Sequence, residues 1–322
     1  MSDIKIGFIG LGTMGFAMCY GLFKSGYSMV LPVYRREIDQ STSFIPLAPD
    51  EKAKTALYDE MLANGCEGAA DARDLFAKAD VIMISMPTSR QVEMNAYGEE
   101  GFVENARQGA IVIDLTSADA SSTQKIARAC EEKGIEMIDA PISGGQEGAT
   151  KQTLSVMVGG KPEIFEKVRP ILETIGDPEK VKYIGPHGAG DAMKCINNYL
   201  SSCNFLAAAE ALCVAEKVGI DPRLAAAMIA SSGGTSHAVT YKFPKCIFSG
   251  VGMKMPVDLM KKDIALFNGL AKDNNVPNFY GSTTFNLFHI QTGSGRGGED
   301  FSRVIRQYEE WTGTKFWDID NE

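Results

Sequence analysis

The sequence predicts an α/β domain built on a doubly wound parallel sheet, followed by an all-α domain, with a long helix joining the two. Three observations predict it. Apolar runs of strand length alternate with amphipathic, helix-length stretches through the first part of the chain. A Gly/Pro-rich link, GPHGAG, follows at 185–190, and beyond it come helical segments without a clear strand. At 322 residues the chain is also long for one core, so two domains are the default expectation.

Taken in order, strands are expected at Ile4–Ile9, Met29–Tyr34, Val81–Met86, Ala110–Leu115, Glu136–Ile138, Ser155–Val158 and Val181–Ile184. Between them lie helical patterns at Gly15–Lys24, Lys52–Asn64, Asp71–Lys78, Ser121–Lys133 and Pro162–Thr174. Such alternation requires crossover connections, hence a largely parallel sheet covered on both faces. The run from Asp191 to Val218 reads as one long helix closed by Gly219. Its many small residues suggest close helix contacts, including one with another subunit. Further helices are expected at Pro222–Ala230, Pro256–Asn274, Thr283–Gln291 and Phe301–Thr312. The domains are therefore drawn as 1–187 and 188–322.

Bulk properties narrow the function classes. The composition, 44% hydrophobic and 23% charged, is that of a folded protein. A formal net charge of −9 has the wrong sign for broad contact with phosphate backbones, so no nucleic-acid partner is expected. A small anionic substrate remains compatible, since a local cationic pocket can exist on an acidic protein. The seven cysteines show no CxxC or Cys/His spacing, and reduced thiols in a cytoplasmic protein are expected. The three histidines, His187, His237 and His289, are too scattered for a metal site. Neither a signal peptide nor a membrane span is read.

Residues 4–15 read IKIGFIGLGTMG, placing Gly10, Gly12 and Gly15 in a G-x-G-x-x-G pattern. Alone the pattern is weak; here a strand precedes it and a helix follows, the context that a dinucleotide-binding turn requires. Gly10 serves the tight turn, Gly12 the approach of the pyrophosphate to the backbone, and Gly15 the packing of helix on strand. The second strand is expected to end Val33-Tyr34-Arg35-Arg36, two guanidiniums with no acid before Glu37. That suits a ribose 2′-phosphate, and NADP(H) is expected over NAD(H). The segment before Lys52, QSTSFIPLAPDEK included, is longer than a usual connection and falls where the adenosine end would sit.

A second Gly-rich stretch, DAPISGGQEGA at 139–149, offers the Ser143 hydroxyl and the Gly144 and Gly145 amides for a carboxylate. In GAGDAMKCINNYL at 188–200, Lys194 and Asn198 are four residues apart and share one helix face. An ammonium beside a carboxamide can hold a substrate hydroxyl from two sides, and burial is expected to bring the lysine pKa toward the working pH. Lys262, in KKDIALF, is a candidate for a substrate carboxylate or the nicotinamide side. Taken singly, Lys194 reads as a surface charge and Lys262 as part of a solvated run. His187 and His237 read as structural polar contacts.

Four motifs in order give these residues a common meaning: GFIGLGTMGFAM at 7–18, DAPISGGQEGATKQTLSVMVGG at 139–160, GAGDAMKCINNYL at 188–200 and KDIAL at 262–266. With them the chain resembles the β-hydroxyacid dehydrogenases over nearly its whole length. The resemblance implies a Rossmann-like domain joined through a long helix to an all-helical domain, as homodimers or homotetramers. It implies Lys194 as the catalytic lysine with Asn198 beside it, and Ser143, Gly144 and Gly145 as the substrate-carboxylate loop. Lys262 matches the second lysine of the site. The cofactor loop comprises Gly10, Leu11, Gly12, Thr13, Met14 and Gly15; Met86 and Pro87 in ISMPTS line the cofactor, and Ser117 in DLTSAD lies near the nicotinamide. The chain departs from the family's usual Asn-Leu at Gly21-Leu22 and in the extra length at 37–64. The activity implied is hydride transfer at the hydroxyl or aldehyde carbon of a small carboxylate. Two alternatives stand beside it: a reductase of a sulfonated aldehyde or imine, and a non-catalytic dinucleotide-binding module.

Overall fold

A computed structural model describes residues 4–33 and 51–315. The chain divides into two compact units, Met1–Lys194 and Cys195–Glu322, with the division inside the long helix.

The first unit is a sheet with helices on both faces. Its strands are β1 (Lys5–Ile9), β2 (Ser28–Leu31), β3 (Glu67–Gly68), β4 (Val81–Ile84), β5 (Ile111–Asp114), β6 (Glu136–Asp139), β7 (Ile142–Ser143), β8 (Leu154–Gly160) and β9 (Gly176–Gly185). They lie in the order β3-β2-β1-β4-β5-β6-β8-β7, with β9 on β8. From β3 to β6 every pairing is parallel. The helices are α1 (Thr13–Lys24), α2 (Glu51–Ala63), α3 (Ala72–Lys78), α4 (Ser89–Ala96), α5 (Phe102–Asn105), α6 (Ala120–Glu132), α7 (Gly145–Lys151) and α8 (Pro162–Ile175).

Side-chain alternation builds a core on each face. Ile6, Phe8, Met83, Ile113 and Ile138 point to one side and pack with Phe16, Met18 and Leu22 of α1, Tyr58 and Met61 of α2, and Phe165 and Leu172 of α8. Ile9, Ile82, Ile84, Val112 and Met137 point to the other, against Leu75 and Phe76 of α3, Val92 of α4, Phe102 of α5 and Ile126 of α6. Four-residue strands without a polar face, such as Val81–Ile84, can exist only when both faces are covered.

The sheet is largely parallel, as expected, and departs from that at one end. β8 runs antiparallel to both β6 and β7. Between Asp139 and Leu154 the chain forms β7 and the short α7, which return it alongside β6 in the opposite sense. The second strand ends at Leu31, earlier than the expected Tyr34. β3, β7, α4, α5 and α7 were not anticipated; they are short and carry too few residues to establish a period.

The second unit is helical. The long helix α9 (Ala189–Lys217) leads into α10 (Pro222–Ala230), a π-helical segment Ala238–Ile247, α11 (Val257–Asp273), α12 (Phe279–Gly293), a 3₁₀ turn Phe301–Val304 and α13 (Ile305–Thr312). Phe205, Leu212, Phe243, Ile264, Phe288, Phe301 and Ile305 form its core. Among the described residues no helix is long and apolar enough to cross a membrane. None of the cysteines is in a disulfide.

Candidate active site

The ends of the parallel strands bring the first group of candidates together. The sheet order 3-2-1-4-5-6 reverses direction between β1 and β4, the point where such folds bind ligands beyond the carboxyl ends of their strands. Ile9 pairs with Ile84 and Ile84 with Asp114, so the Gly10 turn, Ser85–Pro87 and Leu115–Ser117 emerge side by side.

Each glycine of the turn can be tested by asking what a methyl group would meet. At Gly10, where φ is 87°, a Cβ would lie 2.2 Å from the Ser85 carbonyl oxygen. At Gly15 it would lie 1.9 Å from the Gly10 carbonyl oxygen. These two are demanded by the fold. At Gly12 it would meet nothing within 4 Å, and φ of −69° is open to any residue. Nothing inside the described chain requires glycine at 12, whereas a group approaching from outside would. No side chain caps the first turn of α1, leaving backbone N–H groups directed at the same opening. The residues therefore fit a dinucleotide pyrophosphate.

Neighbouring residues complete the turn. Leu11 is buried, with Thr13 and Met14 half-buried beside it. The Met86 methyl group lies 3.4 Å from where a Gly10 Cβ would be, and the Met86 N–H donates to Thr116 Oγ1 at 3.0 Å. Pro87 is exposed and Ser117 half-buried. Lys54 of α2, only 1% exposed, donates from Nζ to the Leu11 carbonyl at 2.7 Å and lies 5.3 Å from the Phe16 ring centroid. The sequence reading missed Lys54. Its signal is the buried stripe Lys54, Tyr58, Met61, which puts a lysine on the core side of α2. Arg35 and Arg36 lie outside the described residues.

Ser143 ends β7, and the two glycines after it lead straight into a short helix. Gly144 caps α7 and Gly145 opens it. Both have positive φ, 135° and 62°, and both are exposed. A side chain is strained at such angles, so glycine is required there by the turn itself.

Lys194 is 8% exposed and lies in the second turn of α9. Its helix start is held by two buried carboxyl groups. Asp139, at the end of β6, accepts from the Gly188 N–H at 2.8 Å and the Asp191 N–H at 3.1 Å. Asp191 accepts from the Ala118 N–H at 3.0 Å and from the Thr123 hydroxyl at 2.7 Å. His187 Nε2 lies 2.9 Å from the Met137 carbonyl oxygen, a structural contact.

Within the second unit, Asn198 is 6% exposed and donates from Nδ2 to Asp263 Oδ2 at 2.6 Å. Asp263 Oδ1 is 3.1 Å from Lys262 Nζ. Asp263 thus fixes the Asn198 carboxamide and anchors Lys262. The sequence reading placed Asp263 beside Lys262 without a role; its spacing from Met260 and Ile264 on the buried side of α11 carries the signal. His237 stacks on Tyr241 with centroids 5.0 Å apart.

Two family models match the chain in succession: "NAD binding domain of 6-phosphogluconate dehydrogenase" over residues 5–185, and "NAD-binding of NADP-dependent 3-hydroxyisobutyrate dehydrogenase" over 188–308. The 2-(hydroxymethyl)glutarate dehydrogenase of Eubacterium barkeri is 35% identical over 97% of this chain and 97% of its own. The 2-hydroxy-3-oxopropionate reductase of Escherichia coli K12 is 30% identical, covering 95% and 97%. Among solved structures, 3-hydroxyisobutyrate dehydrogenase of Mycobacterium tuberculosis with L-serine superposes with a TM-score of 0.79 at 25% identity, covering 95% and 99%. Sequence motifs, sheet order and full-length similarity agree, and the chain belongs to the β-hydroxyacid dehydrogenase family.

Proposed function

We propose that the protein transfers a hydride between NAD(P)(H) and the hydroxyl or aldehyde carbon of a small carboxylate, with Lys194 as the general acid–base. The observation that carries this reading is a buried lysine sharing a helix face with a carboxamide that a buried aspartate orients. The bound dinucleotide supplies or accepts the hydride. Lys194 donates a proton to the carbonyl oxygen in reduction, and as a neutral amine takes the hydroxyl proton in oxidation. Asn198 directs its amide at the same oxygen. Ser143 with the Gly144 and Gly145 amides holds the substrate carboxylate, and Lys262 is a further substrate-binding cation. Gly10–Gly15, Met86, Pro87 and Ser117 hold the dinucleotide. Residues 1–187 serve cofactor binding; 188–322 serve substrate binding and assembly into a cytoplasmic homodimer or homotetramer.

The test is a panel of short hydroxy acids and semialdehydes followed at the nicotinamide absorbance band. Lys194→Ala should lower kcat by about 10²–10⁴-fold with cofactor affinity nearly intact. Equal turnover in wild type and variant removes the lysine from the mechanism. Turnover confined to sulfonated aldehydes or imines replaces the substrate class.

NADP(H) is the preferred cofactor in this proposal, through Arg35 and Arg36. The double variant Arg35→Ala, Arg36→Ala should raise the Kd for NADPH at least about tenfold more than that for NADH, since charge-assisted forks to a 2′-phosphate are lost. Equal losses refute the assignment.

A further inference from the structure

The two buried carboxyl groups beneath the start of α9 have no part in the chemistry above, yet they tie together the parts that must be aligned for it. Asp139 and Asp191 are both fully buried, and among the described residues neither is in an ion pair. Asp139 accepts two N–H donors, from Gly188 and Asp191. Asp191 takes the Ala118 N–H and faces the Thr123 hydroxyl on α6. Ala118 follows Ser117, and Lys194 follows Asp191 by three residues, one helical turn. Asp191 therefore straps the lysine helix to the Ser117 loop, while Asp139 straps its first turn to the end of β6. The turn has no slack. A Cβ at Gly190 would lie 2.2 Å from the Met157 carbonyl oxygen and 2.8 Å from Asp139 Oδ2.

Two ionised carboxylates cannot share such a site at low cost, because burial and mutual repulsion both favour keeping a proton. The donors divide the roles. Both partners of Asp139 are amide N–H groups, which can only donate, so Asp139 is the member suited to carry charge. Asp191 accepts one N–H, from Ala118, and the Thr123 hydroxyl; a hydroxyl, unlike an amide N–H, can also accept, so a protonated Asp191 can reverse that bond and donate to Thr123 Oγ1.

We propose that Asp191 is a positioning residue held as a neutral carboxylic acid, and that its proton keeps the Lys194 helix aligned with the Ser117 loop. This rests on the role proposed for Lys194. The titratable groups facing Asp191 are Asp139 at the end of β6 and Asp114 at the end of β5; His187, before α9, faces Asp139. Burial first, then the charges of Asp139 and Asp114, push the Asp191 carboxyl well above the usual range. Burial likewise raises Asp139, opposed by the Gly188 and Asp191 amides and by His187. Loss of the Asp191 proton places two charges across one peptide unit and loosens the turn that launches the lysine helix.

Infrared difference spectra of the whole protein at neutral pH, wild type against Asp191→Asn, read the proton directly. The wild type should show a protonated-carboxyl band that the variant lacks. Should Asp191→Asn fail to fold, Asp139→Asn serves instead: burial, the larger cause, still holds the Asp191 proton there, so the band should remain. Persistence of the band in folded Asp191→Asn, or its loss in Asp139→Asn, assigns the proton to Asp139 and overturns the proposal. The second readout is kcat against pH in the oxidation direction, with NADP⁺ and a hydroxy acid found active in the panel. There, deprotonation of Lys194 raises the rate, so an alkaline fall reports a different group. The wild type should lose about tenfold per pH unit beyond the Asp191 pKa; in Asp191→Asn that fall should vanish, leaving a plateau. An identical alkaline limb in both proteins also overturns the proposal. Failure of the Lys194 reading looks different: Lys194→Ala would turn over normally while the carboxyl band stayed in place.

Discussion

Glycines of one motif do different work, and a single added methyl group separates them. Gly10 and Gly15 are required by contacts inside the unit, at 2.2 Å and 1.9 Å from carbonyl oxygens, whereas Gly12 faces open space. Gly15→Ala should therefore cost about 1–3 kcal/mol of stability through overpacking against backbone that cannot swing aside. Gly12→Ala should change stability by less than about 1 kcal/mol, since its φ suits alanine and the unfolded chain loses freedom. It should nevertheless raise the Kd for NAD(P)H at least about tenfold, the cost of crowding a phosphate. Urea unfolding and fluorescence titration of both variants check the contrast. If Gly12→Ala bound cofactor as wild type does, the pyrophosphate would not approach the backbone there. At this scale the sequence was legible for the placement of Gly10, Gly12 and Gly15 in the turn that opens α1 and of Lys194 and Asn198 four residues apart on α9, because each placement depends on spacing close along the chain. It was silent on Lys54 and gave Asp263 no role, because each acts through a partner distant in sequence: Lys54 through Leu11, Asp263 through Asn198.

Helices and strands recognised from the sequence are those long enough to show their period. The long helix, expected at Asp191–Val218, spans Ala189–Lys217, and Pro222–Ala230 has the expected ends. The expected helix Phe301–Thr312 begins instead as a 3₁₀ turn at Phe301–Val304. Asp300 explains that start. Its carboxylate accepts from the Ser302 N–H at 2.9 Å and from the Ser302 hydroxyl, capping the turn. It also takes the N–H groups of Met253, Lys254 and Met255, fixing the loop that precedes α11. One side chain thus closes two elements. Asp300→Ala should cost about 2–3 kcal/mol, as expected when several N–H groups lose a charged acceptor. Urea unfolding measures it, and a loss below about 0.5 kcal/mol would mean that water replaces the carboxylate without penalty. The π-helical segment Ala238–Ile247 was not foreseen. Pro244 lies inside it and has no N–H to give, so the sequence pattern there does not read as an ordinary helix.

Across the whole molecule, the order of strands decides where chemistry can occur. Local propensity marks β1, β4 and β5 as buried strands but says nothing about which are neighbours. The reversal between β1 and β4 places the Gly10 turn beside Met86, and the pairing of β4 with β5 adds Thr116 and Ser117. The antiparallel course of β8 was likewise hidden, since strand direction follows from the path of the connection and not from the residues of the strand. By itself the sequence determined the α/β-then-α class, the turn at Gly10–Gly15 and the Lys194/Asn198 helix face, because each depends on residues close together along the chain. Tertiary structure alone decided that Asp139 and Asp191 meet under the start of α9, that Lys54 reaches Leu11, and that Asp263 holds Asn198. Those pairs are joined by burial and hydrogen bonding between segments far apart in sequence, where no local period can announce a partner.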